Sequence, residues 1–198
     1  MREEKSCLGA VILNDTRADH HFGCYRVMRV IEKCLLDRGI NVLASSYVRN
    51  DWPNDRAFTA AMAKSDLILI NGEGTCHHGS RHAEKLLRVV DHPARGNKPV
   101  ALINALYQDN PPEWRRYLEK IDILWARDSW SAGLLRETTG RNIPWTFDLS
   151  LTEENNPRAG GAGRDLLTIG ESVLGNTRRE LINLVENDKN LTLLPIIK

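Results

Sequence analysis

The chain alternates short apolar runs, rich in branched residues, with longer stretches whose apolar residues recur at helical spacing. Continuous apolar runs of this kind are typical of strands buried on both faces, and strands that are separated by helices pair in parallel. A parallel sheet needs helices on both of its faces to exclude water. The alternation therefore predicts a doubly wound α/β domain built on a parallel sheet.

Six strands and five helices are predicted before residue 152. The strands are 8–13, 40–48, 66–70, 99–103, 122–125 and 145–147, and the helices are 23–38, 54–64, 80–90, 112–119 and 129–137. The first helix places Val27, Val30, Ile31 and Leu35 on one face, as a helix packed on a sheet requires. Asn54 is the predicted N-cap of the second helix. We expect residues 1–151 to form one Rossmann-like domain.

The stretch 152–165, TEENNPRAGGAGRD, differs in kind because it is polar, contains proline and glycines and has no apolar period. It is predicted to be a linker. A strand (166–169), a helix (176–186) and a strand (191–197) follow it. One βαβ unit cannot bury both faces of its strands. It therefore either joins the first sheet or begins a second Rossmann-like domain (166–198) that this chain does not complete, and we favour the second interpretation.

Composition argues against several classes of partner. Lysine plus arginine (27) nearly balance aspartate plus glutamate (26), so no strong attraction to nucleic acid or to an anionic membrane surface is expected. The N-terminal apolar run is too short for a signal peptide or a transmembrane segment. The cysteines form no CxxC pair and are expected to be buried, reduced thiols of a cytoplasmic protein. They are Cys7, Cys24, Cys34 and Cys76.

Polar residues follow the predicted strands at the point where each strand ends. In an open parallel sheet ligands bind outside the carboxyl ends of the strands, so these side chains are predicted to share one binding rim. They are Asn14, Asp15, Thr16 and His21 after the first strand, Asn71, Gly72, Glu73, Gly74 and Thr75 after the third, Asn104 after the fourth, Arg127, Asp128 and Ser129 after the fifth, and Asp148 after the sixth.

Local structure is the alternative explanation for several of these residues. Asp128 or Ser129 would serve as an ordinary N-cap, with Arg127 in a surface ion pair. Asp148 would likewise cap the chain after its strand. Gly23, at a predicted helix start, would leave backbone amides free to bind an anion.

The segment NGEGTCHH, 71–78, places Glu73 between two glycines directly after a buried strand. It is neither GxGxxG nor a P-loop, and no GxSxG elbow occurs, so nicotinamide enzymes, nucleoside-triphosphate enzymes and α/β-hydrolases are disfavoured. His77 and His78 are predicted to hydrogen-bond a substrate. A metal site that also uses His82 lacks an established ligand spacing. We therefore predict no metal and no cofactor.

Three segments carry a resemblance to a known family. They are SDLILINGEGTCHH (65–78), IDILWARDSWSAGLL (121–135) and WTFDLSL (145–151). An aspartate-led strand running into a Gly-rich loop, an RD-x-x-S helix start and a strand-ending aspartate resemble the layout of the polysaccharide pyruvyl transferases over about residues 8–151. The stretch NDTRADHHFGCYRVM (14–28) stands where that family has a GN-x-GD loop. The same features are similar to those of retaining capsule and O-antigen Kdo transferases.

Both resemblances imply a two-domain, GT-B-like transferase of cell-surface polysaccharide biosynthesis, with this domain on the acceptor side. The first implies transfer of pyruvate from phosphoenolpyruvate to a hydroxyl of a sugar or oligosaccharide. The second implies a donor sugar activated by cytidine monophosphate (CMP), such as Kdo. A third alternative is a sugar-binding fragment without catalytic activity.

The chemistry implied by either resemblance requires a proton acceptor for a sugar hydroxyl and a means of stabilising an oxocarbenium-like centre. Glu73 is the candidate general base or acid. In sugar transfer Asp148 would be the nucleophile, whereas in pyruvyl transfer it would orient or deprotonate the acceptor. The other rim residues would bind hydroxyls or an anionic group.

Overall fold

A computed structural model of the protein describes residues 7–152, 167–170, 175–188 and 191–194. Five parallel strands form one sheet in the order β2-β1-β3-β4-β5. They are β1 (Leu8–Asp15), β2 (Ile40–Tyr47), β3 (Leu67–Asn71), β4 (Val100–Ala105) and β5 (Ile123–Ala126). The helices are α1 (Phe22–Leu36), α2 (Arg56–Lys64), α3 (Arg81–Leu87), α4 (Arg115–Leu118) and α5 (Ser129–Thr139). The predicted doubly wound α/β fold is confirmed.

The two faces of the sheet carry separate apolar cores because successive residues of a strand point to opposite faces. On one face Ala10 and Ile12 pack with α1 through Val27, Ile31 and Leu35. On the other face the alternate residues of the same strands pack with α2, α3, α4 and α5. The strands β1, β3 and β4 are therefore almost wholly apolar along their length, as the sequence predicts for a sheet covered on both faces.

The aspartates that precede β3 and β5 fix the amino edge of the sheet. Asp66 accepts a hydrogen bond from the backbone N–H of Gly9 at 2.8 Å. Asp122 accepts one from the N–H of Val100, also at 2.8 Å. Each carboxylate thus satisfies the first donor of a neighbouring strand. The aspartates that lead two of the segments quoted above have a structural role at the edge opposite the binding rim.

The predicted sixth strand, 145–147, does not form. Trp145 makes a single parallel bridge to Ala126, with one backbone hydrogen bond on each side of it. The ladder does not extend because Pro144 has no N–H to donate. Beyond it, Asp148 accepts a hydrogen bond from the N–H of Ser150 and turns the chain into a 3-10 turn, Leu149–Leu151.

Two other expectations are corrected. The N-cap of α2 is Asp55 rather than Asn54, since the Asp55 carboxylate accepts from the N–H groups of Ala57 and Phe58. Among the cysteines, Cys24 and Cys76 are buried, but Cys7 and Cys34 are exposed, and all are free thiols. Within the described ranges, no helix has the length and apolar character needed to cross a membrane.

The C-terminal elements pair with each other and not with the large sheet. Strands β6 (Leu167–Gly170) and β7 (Leu191–Leu194) run parallel in a two-stranded sheet, with α6 (Gly175–Asn187) between them in sequence. This is the predicted βαβ unit. Most of the predicted linker, from residue 153 onward, and the end of the predicted last strand, 195–197, lie outside the described residues. The division into two domains stays a prediction.

Candidate functional site

The loops that follow β1 and β3 diverge at the carboxyl edge of the sheet. These strands are neighbours, with Leu13 opposite Ile70. The chain leaves β1 toward α1 on one face and leaves β3 toward α3 on the other. A crevice opens where neighbouring connections part in this way, and doubly wound sheets bind their ligands there.

A cavity of about 700 Å³ lies at this crevice. The residues that line it come from the loops after β1, β2, β3 and β5 and from the first turns of α1 and α3. They are Thr16, Asp19, His21, Cys24, Val48, Arg49, Glu73, Gly74, Thr75, His77, Ser80, His82 and Arg127. The structure thus places six of the predicted rim residues around one cavity, together with the predicted substrate-binding residue His77. The six are Thr16, His21, Glu73, Gly74, Thr75 and Arg127.

Glu73 lies on the wall of this cavity in a half-buried position. The Thr16 hydroxyl donates to Glu73 Oε2 at 2.8 Å, and Asn71 Nδ2 approaches the same oxygen at 3.4 Å. Burial raises the pKa of the Glu73 carboxyl, the two hydrogen bonds oppose that rise, and the nearby Asp148 carboxylate adds to it. A raised pKa brings a carboxyl closer to the range in which it can serve as a proton donor as well as a proton acceptor.

Replacing Glu73 by Gln is expected to stabilise the protein at neutral pH. Because burial raises the pKa of the carboxyl in the folded state, the folded protein keeps a proton that the unfolded chain has already released. Stability therefore falls as pH rises from the ordinary glutamate value, about 4.3, through the folded-state pKa. The free energy of unfolding in urea, measured across that range, should favour the variant increasingly as pH rises. A surface control, Glu113→Gln, should show no such trend, and parallel profiles for Glu73→Gln and wild type would contradict this account.

A second layer of amides holds the Glu73 loop. Asn14 is fully buried, and its φ of +68° falls at a register shift where β1 ends. Its Nδ2 donates to the carbonyl of Asn71 at 2.7 Å and to Thr75 Oγ1 at 2.9 Å. Thr75 Oγ1 in turn donates to the carbonyl of Glu73 at 2.8 Å. Asn14, Asn71 and Thr75 therefore position Glu73, and neither asparagine lines the cavity.

His82 supports the same layer from α3. Its Nε2 lies 3.1 Å from Asn14 Oδ1. Burial, with the positive charges of Lys85 and Arg49, lowers the pKa of His82. The ring is therefore neutral at neutral pH, and the same Nε2 accepts a hydrogen bond from the backbone N–H of Arg49 at 3.3 Å.

The two glycines of the loop are required for different reasons. A Cβ on Gly72 would lie 2.7 Å from Ala105 Cα and 2.8 Å from Ala105 Cβ, so Gly72 allows the loop to pack directly on β4. Gly74 has a φ of +55° and open space around its Cα. Gly72 therefore makes room for the neighbouring strand, whereas Gly74 provides a left-handed backbone conformation beside Glu73.

Asp15 is separated from the cavity by its own ion pair. Its carboxylate is fully buried and accepts hydrogen bonds from Arg17 Nε at 3.0 Å and from Arg17 Nη2 at 2.5 Å. Arg17 also lies 2.8 Å from Glu32 on α1. Asp15 therefore fixes the turn after β1, and it is absent from the cavity wall.

Arg127 and Asp148 form an ion pair beside the cavity. Arg127 Nη1 lies 2.9 Å from Asp148 Oδ2, and both side chains are about three-quarters buried. Of the two, only Arg127 lines the cavity among the residues described. The adjacent Asp128 is the N-cap of α5, accepting from the N–H and hydroxyl of Ser131, and Ser129 is exposed at the helix start.

Asn104 does not reach this cavity. Its Oδ1 accepts a hydrogen bond from the N–H of Leu149 at 3.1 Å, on the face of the sheet that carries α1. A register shift near the end of β4, with a φ of +53° at Asn104, accompanies this direction of the side chain. Bulges re-aim side chains in this way.

The histidine pair after the loop is engaged internally. His77 Nε2 lies 3.0 Å from the carbonyl oxygen of Gly74, and His77 Nδ1 lies 2.9 Å from His78 Nδ1. His78 Nε2 lies 3.3 Å from Asp109 and does not line the cavity. In the described part of the chain, no group of three His, Cys, Asp or Glu side chains is arranged to hold a metal ion.

An ion pair that was not predicted from the sequence also lies at the cavity. Arg49 follows β2, and its Nη2 lies 2.6 Å from Asp19. Arg49 could have been predicted, because it is a polar residue that comes just after the carboxyl end of a strand, as the other rim residues do.

The start of α1 is closed to anions by its own cap. His21 is the N-cap, and its Nδ1 accepts from the N–H of Gly23 at 3.0 Å. The sequence suggested that the amide of Gly23 would be free to bind an anion. In the structure this amide already donates to His21. Cys24, on the next turn, lines the cavity, and burial together with the charge of Glu73 raises its pKa to about 12, so its thiol is not ionised at neutral pH.

Comparison of this chain with family models, curated proteins and solved structures gave no match.

Proposed function

We propose that this protein is a transferase of cell-surface polysaccharide biosynthesis that moves a pyruvyl group from phosphoenolpyruvate to a sugar hydroxyl in the Glu73 cavity. The observation that carries the proposal is the Glu73 carboxyl, held by Thr16 and Asn71 at the point where the loops diverge, with its pKa raised by burial. The free thiols fit a cytoplasmic protein.

The proposed reaction uses Glu73 as acid and then as base. The protonated carboxyl gives its proton to the methylene carbon of phosphoenolpyruvate, which leaves an oxocarbenium-like centre at the adjoining carbon. A sugar hydroxyl adds there, and its proton returns to Glu73. A second hydroxyl displaces the phosphate, which departs with that hydroxyl's proton. The net products are a pyruvyl ketal and inorganic phosphate.

Two guanidinium groups line the cavity and could contact an anionic donor. Arg127 pairs with Asp148 and Arg49 pairs with Asp19, so each leaves only its remaining N–H groups for a ligand. Guanidinium groups are favoured partners of carboxylates and phosphates because their donors match the spacing of two oxygens. Arg127 is already oriented by Asp148, so it does not need to be ordered when a ligand arrives.

The alternative, a retaining transferase that uses a CMP-activated sugar, needs a carboxylate nucleophile that faces the reacting carbon. Asp148 is poorly suited to that role. One of its oxygens pairs with Arg127 and the other accepts from the N–H of Ser150. Glu73, whose carboxyl lines the cavity, is better placed for proton transfer than Asp148 is for nucleophilic attack.

Thermal unfolding with phosphoenolpyruvate or with CMP tests the donor. We expect phosphoenolpyruvate to raise Tm, since a ligand at a hundred times its Kd stabilises the folded state by about 2.7 kcal/mol. Arg127→Met should remove most of this shift, whereas Arg115→Met, which breaks a surface pair with Glu119, should leave it intact.

The other outcomes of this experiment are equally informative. A shift with CMP alone would favour sugar transfer. No shift with either ligand would eliminate both donors. A shift with phosphoenolpyruvate but no phosphate release in the presence of acceptor sugars would indicate a binding protein without catalytic activity.

A further inference from the structure

A second cavity, of about 330 Å³, lies between α1 and the strands β3, β4 and β5. Its walls are mostly apolar: Ile31 and Leu35 come from α1, Leu69 and Ile103 from the sheet, and Trp125 from β5. The described residues that line it include none of those that line the Glu73 cavity. The two cavities are therefore separate, and a ligand of the second cavity is independent of the proposed transfer reaction.

One polar group in the second cavity has no partner. Asn104 lines the cavity, and only 2% of its surface is exposed. The N–H of Leu149 fixes the orientation of the amide, because only Oδ1 can accept that hydrogen bond. The other end, Nδ2, is buried, and it is without a hydrogen-bond partner among the described residues.

An unpaired amide donor in an apolar enclosure is unfavourable, and buried amides in proteins nearly always find an acceptor. The neighbouring walls are mostly hydrocarbon and indole, and neither the Thr146 hydroxyl nor the Cys34 thiol, which also line the cavity, pairs with Nδ2. A ligand oxygen would supply the missing acceptor. The most exposed part of the same wall adds a positive charge from Arg38, whose Nη1 donates to the carbonyl of Cys34 at 2.9 Å.

We propose that this cavity is a binding site for a small aromatic carboxylate, whose ring packs between α1 and Trp125. Asn104 Nδ2 exposes less than 1 Å², so the proposal includes a small movement of the wall that lets the ligand oxygen accept a hydrogen bond from it. The volume is within the lower range of small-molecule sites, which are typically apolar clefts with a few placed polar groups. Arg38 favours an anionic ligand over a neutral one.

Protection of Cys34 from alkylation reports on the occupancy of this cavity. Cys34 is an exposed thiol on its wall, and the exposed Cys7, which is not a lining residue, serves as the internal reference. The full chain is treated with iodoacetamide in the presence of naphthoate, naphthamide or naphthalene, and both cysteines are followed by mass spectrometry. We expect naphthoate to slow the reaction of Cys34 but not of Cys7. Naphthamide should protect more weakly, and naphthalene least.

Asn104→Asp is the matched variant. It keeps the size of the side chain and the oxygen that accepts from Leu149, but it replaces the donor with a second oxygen. The Kd of naphthoate, taken from the protection curve, should rise at least about tenfold, as for the loss of a hydrogen bond to a charged group. Val30→Phe, which fills the cavity from α1, should abolish protection by all three probes.

Three results would overturn the proposal. Absence of Cys34 protection by every probe would mean that the cavity binds no such molecule. Equal protection by naphthalene and naphthoate in the wild-type protein would mean that Asn104 recognises no acceptor, and this comparison needs no variant to fold. An unchanged Kd in a folded Asn104→Asp protein would lead to the same conclusion.

Discussion

Glu73→Gln is expected to lower the rate of pyruvyl transfer by roughly 100- to 10,000-fold, the usual contribution of a general acid–base group. Glutamine keeps the size of the side chain and an oxygen that can accept from Thr16, so the loop should keep its conformation. It cannot give or take the proton. The measurement is the release of inorganic phosphate from phosphoenolpyruvate in the presence of acceptor sugars, with kcat and KM determined separately. The loss should fall on kcat.

A neighbouring carboxylate provides the control. Asp19 lines the same cavity but pairs with Arg49, so Asp19→Asn should affect the rate far less than Glu73→Gln.

The variant Asp148→Asn distinguishes an orienting role of Asp148 from a nucleophilic one. If Asp148 orients Arg127, the Asp148→Asn variant should show a higher KM for the donor. If Asp148 were the nucleophile, the variant should lose kcat, because a nucleophile is needed in every turnover. Full activity in both Glu73→Gln and Asp148→Asn would refute the assignment of the site.

Gly72→Ala is expected to reduce the free energy of unfolding by about 3 kcal/mol, at the upper end of the usual cost of overpacking. The added methyl group would meet the backbone of Ala105 at 2.7 Å, and a strand in the middle of a sheet cannot move aside as a flexible side chain can. Urea unfolding should show a lower midpoint, and the strain should also displace Glu73.

The other glycine of the loop is the matched control. Gly74→Ala meets no neighbouring atom, so its cost is only that of a positive φ, about 1–2 kcal/mol. Gly74→Asn should cost less, because asparagine adopts this conformation more readily. If Gly72→Ala proved no more destabilising than Gly74→Ala, the close packing against β4 would not be the reason for Gly72.

The fold could be predicted because its determinants are local. Apolar runs such as Ala10–Leu13 are long enough to mark strands, and the spacing of Val27, Ile31 and Leu35 marks a helix. Much of the cavity wall could also be predicted, because parallel strands bring their carboxyl ends to one edge of the sheet. This rule alone placed Thr16, Glu73 and Arg127 at the crevice.

The errors arose where the direction of a side chain, and not its position along the chain, decides its role. Asn104 ends its strand as predicted, but an irregular register at the end of β4 accompanies a turn of its amide to the opposite face. Asp15 is in the right place, but its charge is taken up by Arg17, two residues away. Sequence spacing gives no access to ion pairs or bulges of this kind.

The Glu73 loop is joined to the sheet by backbone as well as by side chains. Gly72 donates its N–H to the carbonyl of Ile103 at 2.8 Å and accepts from the N–H of Leu106 at 3.4 Å, so the loop continues the hydrogen bonding between β3 and β4. The loop therefore loses its conformational entropy when the chain folds. It does not have to be ordered again when a ligand binds. Binding to this cavity should therefore proceed without a slow ordering step, and the amides of the loop should exchange with solvent as slowly before ligand is added as after.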